Sequence, residues 1–570
     1  MHAIRSTTSK PRAASASDRF LGHARRIAGL TLISRFAGLA RDAVCARVFG
    51  AGAIWSAFAV AFLIPNLFRR LFGEGALAAA FIPIYAQLLD DDKAGARRFA
   101  RATFTLVFIA LAVATLLGEA ILLALLFLTP LGDSGGLALR LAITLLPFMP
   151  LVCSTAIVGG ALQTHSVFTP TAAAPIILNV CIISGALAGS IGFGLSPRVN
   201  IFIVSIAVLV AGTVQLLWST TALARSAGIS LAPLRPAGAQ RDLRRLAKNA
   251  GPAILGLGVL QLNTLFDGLI ASWPVLVGAT IALPIFGTTT YPLDEVSNAT
   301  LFYAIRLYQF PLGVIGVSLA TAVFPTLARL ARDQRAFAST LRNGLRLAIF
   351  IGVPASVGLA LVREPLVATI FEGGRFGDAS RARVATTLLG YCPAVVAAML
   401  AQTLTRAYYA KGDTRTPMRV ALLAVALNLA LNVSLVWSLR EAGLAWATSA
   451  SAMAQVAALA TLARRRTGVR VIDSLLFKTG LNAAIGAALM AGAVMLAMRL
   501  SRAALASVWL ETTWAFHAAT LMTSVGAGGA AFVLASWILH AEELRWLVGK
   551  KTASQEDRNQ EADSSEGAFD

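Results

Sequence analysis

Residues 34–87, SRFAGLARDAVCARVFGAGAIWSAFAVAFLIPNLFRRLFGEGALAAAFIPIYAQ, decide the fold. The stretch is mostly apolar and long enough for two membrane crossings at about 20 residues each. It also carries charge where a bilayer penalises it: Arg35, Arg41, Asp42, Arg69, Arg70 and Glu74 lie within or against apolar helical sequence. An ionised side chain at the bilayer centre costs about 2.5–3.5 kcal/mol on insertion scales. Two readings account for it. Either the charges pair among themselves, or they line a water-filled cavity built for an anionic cargo. Four are positive and two negative, so full pairing still leaves positive charge over, which favours the cavity.

The rest of the chain fits a machine around such a cavity. Of its 570 residues 57% are hydrophobic and 14% charged, and the mean hydropathy is +0.72. A soluble domain carries about 25% charged residues, so the class is a polytopic all-α membrane protein. Net charge is +21. In a soluble chain that would suggest nucleic acid, but the basic residues fall in the gaps between apolar runs and no nucleic-acid partner is expected. Cys45, Cys153, Cys181 and Cys392 lie in apolar runs without paired spacing, which argues against a disulfide framework or a metal site.

The apolar runs divide into about fourteen transmembrane helices. Residues 1–26 read as a disordered basic lead without a signal-peptide pattern, and 27–224 as a first lobe of six helices. A basic linker follows at 225–249, then a second six-helix lobe at 250–463. A final pair of helices lies within 464–547, and a polar, disordered tail at 548–570. With the amino terminus inside, most of the 49 Lys and Arg fall in inside loops, so both termini are expected in the cytoplasm. The lobes repeat. AAFIPIYAQL (79–88) matches AVFPTLARL (322–330), and the Thr169-Pro170 connection matches Thr416-Pro417. The offsets, 242 between Pro83 and Pro325 and 247 between Pro170 and Pro417, span an even number of helices, so the repeat is parallel. Residues 273–297 form a long Pro/Gly/Thr-rich connection that reads as a surface excursion or a lid.

Arginine suits phosphate and pyrophosphate, because its planar fork bonds bidentately and stays charged. Arg69 and Arg70 follow Pro65-Asn66, where the helix should break and release backbone groups to a cavity. Glu74 lies four residues after Arg70 and is placed to pair with it. Arg306, in LFYAIRLYQFPLGVIGV, is the candidate from the second lobe. Arg140 and Arg406 lie nearer span ends, where they either snorkel or contribute. Asp267 is an acid within the seventh span. Asn428 and Asn432 share a face of the eleventh, and Thr448 adds an oxygen in the twelfth. Oxygen ligands around one carboxylate suit Na+ or a protonatable group; the same residues also suit a hydrogen-bonded packing cluster. No other metal, no cofactor and no catalytic constellation is expected. Without a phosphate-binding loop, an ion gradient or the membrane potential is the expected driving force.

The wording of several stretches resembles the MurJ (MviN) lipid II flippases of the multidrug/oligosaccharidyl-lipid/polysaccharide exporter superfamily. These are SRFAGLARDAVCARVFGAG, AFLIPNLFRRLFGEGALAAAFIPIYAQ, GPAILGLGVLQLNTLFDGLIAS, RLYQFPLGVIGVSLATAVFPTLAR, FEGGRF and YYAKGDTRTP. The resemblance covers about residues 27–465. It implies two six-helix lobes around a cationic cavity, a lipid-facing groove in the last two helices, and a monomer. It also implies movement of lipid II, the undecaprenyl-pyrophosphate-linked muropeptide of cell-wall synthesis, from the inner to the outer leaflet by alternating access. The cavity residues it carries over are Arg35, Arg41, Asp42, Asn66, Arg69, Arg70, Glu74 and Arg306, with Asp267 as a shared acid. Alternatives are another polyprenyl-pyrophosphate glycan as cargo, or cation-coupled drug export. The cavity arginines count against the latter, and the in-span charges count against a non-transporting scaffold. Two positions depart from the family: Ser56 and Ile305 stand where acids are common.

Overall fold

A computed structural model describes residues 11–73, 76–229, 238–283, 287–471, 473–505 and 513–547. The chain divides into two units, Met1–Ala299 and Thr300–Asp570.

In the first unit the helices are α1 (Pro11–Phe49), α2 (Ala53–Phe68), α3 (Ala76–Asp91), α4 (Lys93–Leu128) and α5 (Asp133–Leu145). They continue with α6 (Phe148–Thr164), α7 (Thr169–Leu187), α8 (Pro197–Ala227) and α9 (Gln240–Leu276). Local chemistry sets several ends. The Asp92 carboxylate accepts from Ala94 N and caps α4. Pro197 opens α8, and Gly228, at φ +62°, closes it. The core of this unit packs Phe81, Tyr85, Phe99, Ile157 and Leu162, from α3, α4 and α6. The carboxyl-terminal half of α4 exposes Leu116, Leu117, Ile121 and Phe127, as a lipid-facing helix does.

Two expected boundaries move. Helix α1 already begins at Pro11, inside the lead read as disordered. Proline at the first helical position and the Ala/Arg-rich run after it favour helix. Residues 1–10 and the tail from 548 lie outside the described residues. Helix α9 starts at Gln240, within the expected linker, because RDLRRLAKN is good helix-forming sequence. It packs on α2, α3 and α5, so this helix, which the repeat pattern groups with the second lobe, belongs by contact to the first unit.

The long connection holds structure the helical reading did not contain. Strands β1 (Thr280–Leu283) and β2 (Gly287–Thr290) pair antiparallel with Thr280 opposite Thr290. Threonine and isoleucine favour strand. The hairpin is tied to its helix by Tyr291 Oη, which donates to Ile270 O at 3.0 Å.

The second unit takes most of α10 (Ser297–Pro311), then α11 (Val317–Arg329), α12 (Gln334–Phe371), α13 (Asp378–Ala410), α14 (Arg415–Leu439) and α15 (Glu441–Thr467). The pair α16 (Ser474–Leu505) and α17 (Trp514–Ile538) follows, with a short α18 (Glu542–Leu547). Its core gathers Leu327, Phe337, Leu341, Leu404, Tyr408 and Leu459. Helices α16 and α17 pack on each other and on α12, around Val362, Met490 and Val494.

Among the described residues, ten helices are long and apolar enough to cross a membrane. The other expected spans correspond to α1, α9, α10–α11 and α15. The first three carry Arg35, Arg41, Asp42, Asp267 and Arg306. Both units interrupt a span in the same way: a π-helical turn at Arg69–Gly73 follows Pro65, and another at Leu312–Gly316 follows Pro311. Their starts are 243 residues apart, between the two sequence offsets. π turns recur at functional sites because they free backbone groups.

A buried ion cluster closes the second unit near its carboxyl end. Arg346 of α12 donates from Nε to Glu543 at 2.7 Å and to Thr479 at 3.0 Å, and from Nη2 to Glu542 at 2.8 Å. Its guanidinium lies 4.7 Å from the centre of the Trp546 ring. Nearby, Arg342 binds Asp473, between α15 and α16, at 2.9 Å. Partial burial raises the Asp473 carboxyl, but the Leu476 N–H and Arg342 outweigh it and hold the group below the usual carboxylate range.

Candidate functional site

In the first unit three arginines of the opening stretch, Arg41, Arg69 and Arg70, each meet an amide side chain. Helix α1 packs along α7, which brings Asn179 to Arg41. Arg41 donates from Nε (2.9 Å) and Nη2 (2.6 Å) to Asp42 Oδ1, and from Nη1 to Asn179 Oδ1 at 3.0 Å. Asp42 is buried, at 2% exposure, so this is a charge pair taken largely out of solvent. Asn179 Nδ2 donates to Ser34 O at 3.3 Å, which fixes the plane of the amide against α1. Arg35 is half-buried, and no hydrogen bond or ion pair joins it to another described residue.

Pro65 lies inside α2, and the helix loosens into the π turn that carries Arg69 and Arg70. Arg69 donates from Nε to Asn66 Oδ1 at 3.1 Å. Arg70 donates from Nη1 to Gln261 Oε1 of α9 at 3.1 Å. The loosened backbone finds its own partner, since the Cys153 thiol of α6 points at Phe68 O from 3.7 Å. Glu74, expected to pair with Arg70, lies outside the described residues.

Ser56 shows why this chain does without an acid there. It is fully buried; its Oγ accepts from Ala299 N at 3.0 Å, and Asn298 Nδ2 donates to Ser272 Oγ at 3.2 Å beside it. A carboxylate in that neutral, packed network would be buried at high cost. In the second unit Arg306 is half-buried, with its guanidinium 4.8 Å from the centre of the Phe302 ring. Arg406 covers Phe324 at 5.5 Å, and Arg140 is exposed.

Of the residues read as an ion site, the structure brings together three. Asn432 Nδ2 donates to Asn428 Oδ1 at 3.0 Å, and Asn428 Nδ2 to Thr448 Oγ1 at 3.4 Å, joining α14 to α15. Both asparagines are fully buried. Their hard oxygens have the chemistry Na+ takes, although in this arrangement the amides also bond one another, as a packing cluster does. Asp267 is buried in α9 and belongs to the first unit. Among the described residues no group of three or more His, Cys, Asp or Glu is arranged to hold a metal.

Asn179 and Gln261 are absent from the sequence-level candidates. Each is an amide in an apolar run, IILNV and VLQLN, and polar residues in spans do mark pathways. Single amides are too common in helix contacts to be singled out without the partner arginine in view.

The profile of the family described as lipid II flippase MurJ matches residues 45–524. A protein of Vibrio cholerae named probable lipid II flippase MurJ is 32% identical over 534 residues, covering 91% of this chain and 95% of its own. One of Burkholderia cenocepacia, named lipid II flippase MurJ, is 31% identical over 430 residues, covering 73% and 78%. Among solved structures, a lipid II flippase MurJ in an inward closed conformation superposes with a TM-score of 0.71 at 21% identity, over 91% of this chain and 99% of that one. An inward-facing multidrug resistance transporter of the MATE family reaches 0.60 at 15% identity, over 78% and 96%. At those identities the two structures share the fold.

Proposed function

The chain belongs to the lipid II flippase MurJ family, and from that premise we propose that it moves lipid II from the inner to the outer leaflet of the bacterial inner membrane by alternating access. It is a lipid II flippase, a transporter rather than an enzyme, and a multi-pass membrane protein serving peptidoglycan synthesis. In this reading it works as a monomer with both termini in the cytoplasm. Arg35, Arg41, Arg69 and Arg70 of the first unit and Arg306 of the second contact the pyrophosphate, with Asp42 and Glu74 setting their charge balance and Asn66 holding Arg69. The observation that carries this is that three guanidiniums of the first unit, Arg41, Arg69 and Arg70, each donate to the oxygen of a neutral amide. An amide partner adds no negative charge, which suits a cargo with two phosphates. The test is depletion in the native cell. Lipid II is expected to accumulate in the inner leaflet, and an unchanged leaflet distribution would overturn the reading.

Two groups are the candidates for energy coupling: the buried acid Asp267, and the Asn428–Asn432–Thr448 cluster. Either takes Na+, or Asp267 takes a proton. Asp267→Asn and Asn432→Leu are expected to slow translocation in proteoliposomes and to abolish its response to an imposed Na+ or pH gradient. A response equal to that of the unmodified protein in both variants would remove ion coupling through these groups.

A further inference from the structure

The arginines at this site have a feature that their charge does not require. Arg41, Arg69 and Arg70 each donate to the side-chain oxygen of an amide. For Arg69 the amide comes from three residues back on the same helix. For the other two it comes from a different helix, Asn179 of α7 and Gln261 of α9. An amide oxygen restrains the plane of a guanidinium as a carboxylate does, but adds no negative charge. For Arg41, whose Nε and Nη2 edge faces Asp42, Asn179 accepts from Nη1 and itself adds no charge. For Arg70, Gln261 restrains the fork and leaves its full charge in place. Attraction between charges is strong where solvent is scarce, so an acid in either place would compete with a phosphate for the same arginine.

We propose that Asn179 and Gln261 are positioning residues, which aim Arg41 and Arg70 at the pyrophosphate of lipid II while keeping the site cationic. The assignment rests on the reading of these arginines as the cargo site. It differs from a role in tying helices together, and the two roles predict opposite results for one substitution. Gln261→Glu preserves the shape and the acceptor and adds a negative charge. A helix tie would be kept or strengthened, because an arginine–carboxylate bond is stronger than an arginine–amide bond. A positioning role at a cationic site is damaged by the same change.

The experiment measures lipid II binding to the full chain in nanodiscs and its translocation in proteoliposomes, for Gln261→Glu, Gln261→Met, Asn179→Asp, Arg41→Ala and Arg70→Ala. Thermal midpoints establish that each variant is folded. Gln261→Glu and Asn179→Asp are expected to weaken lipid II binding about tenfold at an unchanged or higher midpoint. Gln261→Met, which keeps the charge and loses the aim, is expected to lower turnover more than affinity. Should Asn179→Asp not fold, the half-buried Gln261 carries the test alone. Unmodified binding and translocation in Gln261→Glu, with loss in the two arginine variants, would overturn the proposal and leave the cargo site standing. Undiminished binding in Arg41→Ala and Arg70→Ala would instead overturn the cargo site itself.

Discussion

Arg41→Ala is expected to abolish measurable translocation of lipid II while the protein still inserts. The change removes a guanidinium that holds Asp42 at 2.6 Å and Asn179 at 3.0 Å, joining α1 to α7. A charged hydrogen bond is worth about 1.5–3 kcal/mol, roughly tenfold to a hundredfold in affinity for each one lost to the cargo. A second loss is structural, because Asp42, at 2% exposure, is deprived of its counter-charge. The double variant Arg41→Ala/Asp42→Asn separates the two. It relieves the buried carboxylate, so it should regain the thermal midpoint of the unmodified protein. It should not regain translocation, since the charge for the pyrophosphate is still missing. Recovery of both would make Arg41 a structural residue only.

Arg346→Ala is expected to have the largest effect on stability, a loss of about 3–5 kcal/mol, because it leaves a buried acid without its cation. The side chains of Arg346 and Glu543 are 7% and 2% exposed, and Thr479 Oγ1 donates to the same Glu543 oxygen at 2.6 Å. The cluster ties α12 to α16 and α18. Thermal unfolding in detergent should show the loss, and limited proteolysis should show earlier release of the carboxyl-terminal helix. Arg346→Lys should recover little, because one ammonium cannot reproduce the Nε and Nη2 pair of bonds. In a double-mutant cycle with Glu543→Gln the effects should be less than additive. An unchanged midpoint in Arg346→Ala would show that the cluster contributes nothing to stability.

These two arginines differ in how visible they are before folding is known. Arg41 stands out in the sequence, because a charge inside an apolar run violates the rule that governs the rest of the chain. Arg346 does not. It stands at the start of an apolar run, near Arg335 and Arg342, where a basic residue is ordinary. Its burial comes from Glu543, 197 residues away. The same distinction explains the amides. Asn66 is legible beside Pro65 because its arginine is three residues on, whereas Asn179 and Gln261 meet theirs across 138 and 191 residues. The β-hairpin escaped notice because threonine, glycine and proline serve a loop as well as a short strand. The early start of α1 escaped because Ala- and Ser-rich basic sequence reads equally as coil.

By itself the sequence determined the membrane class and the charged stretch at 34–87. Each follows from a local cost: apolar length against bilayer thickness, or an ion against hydrocarbon. Tertiary structure alone decided what each charge faces: Asn179 and Asp42 for Arg41, Gln261 for Arg70, Glu543 for Arg346. It also set α9, with Asp267, against the helices of the first unit, and gathered Asn428, Asn432 and Thr448 within the second. Those pairings depend on which helix faces pack together. Hydropathy cannot encode that choice, because in a bilayer every apolar face is equally content with lipid or with another helix.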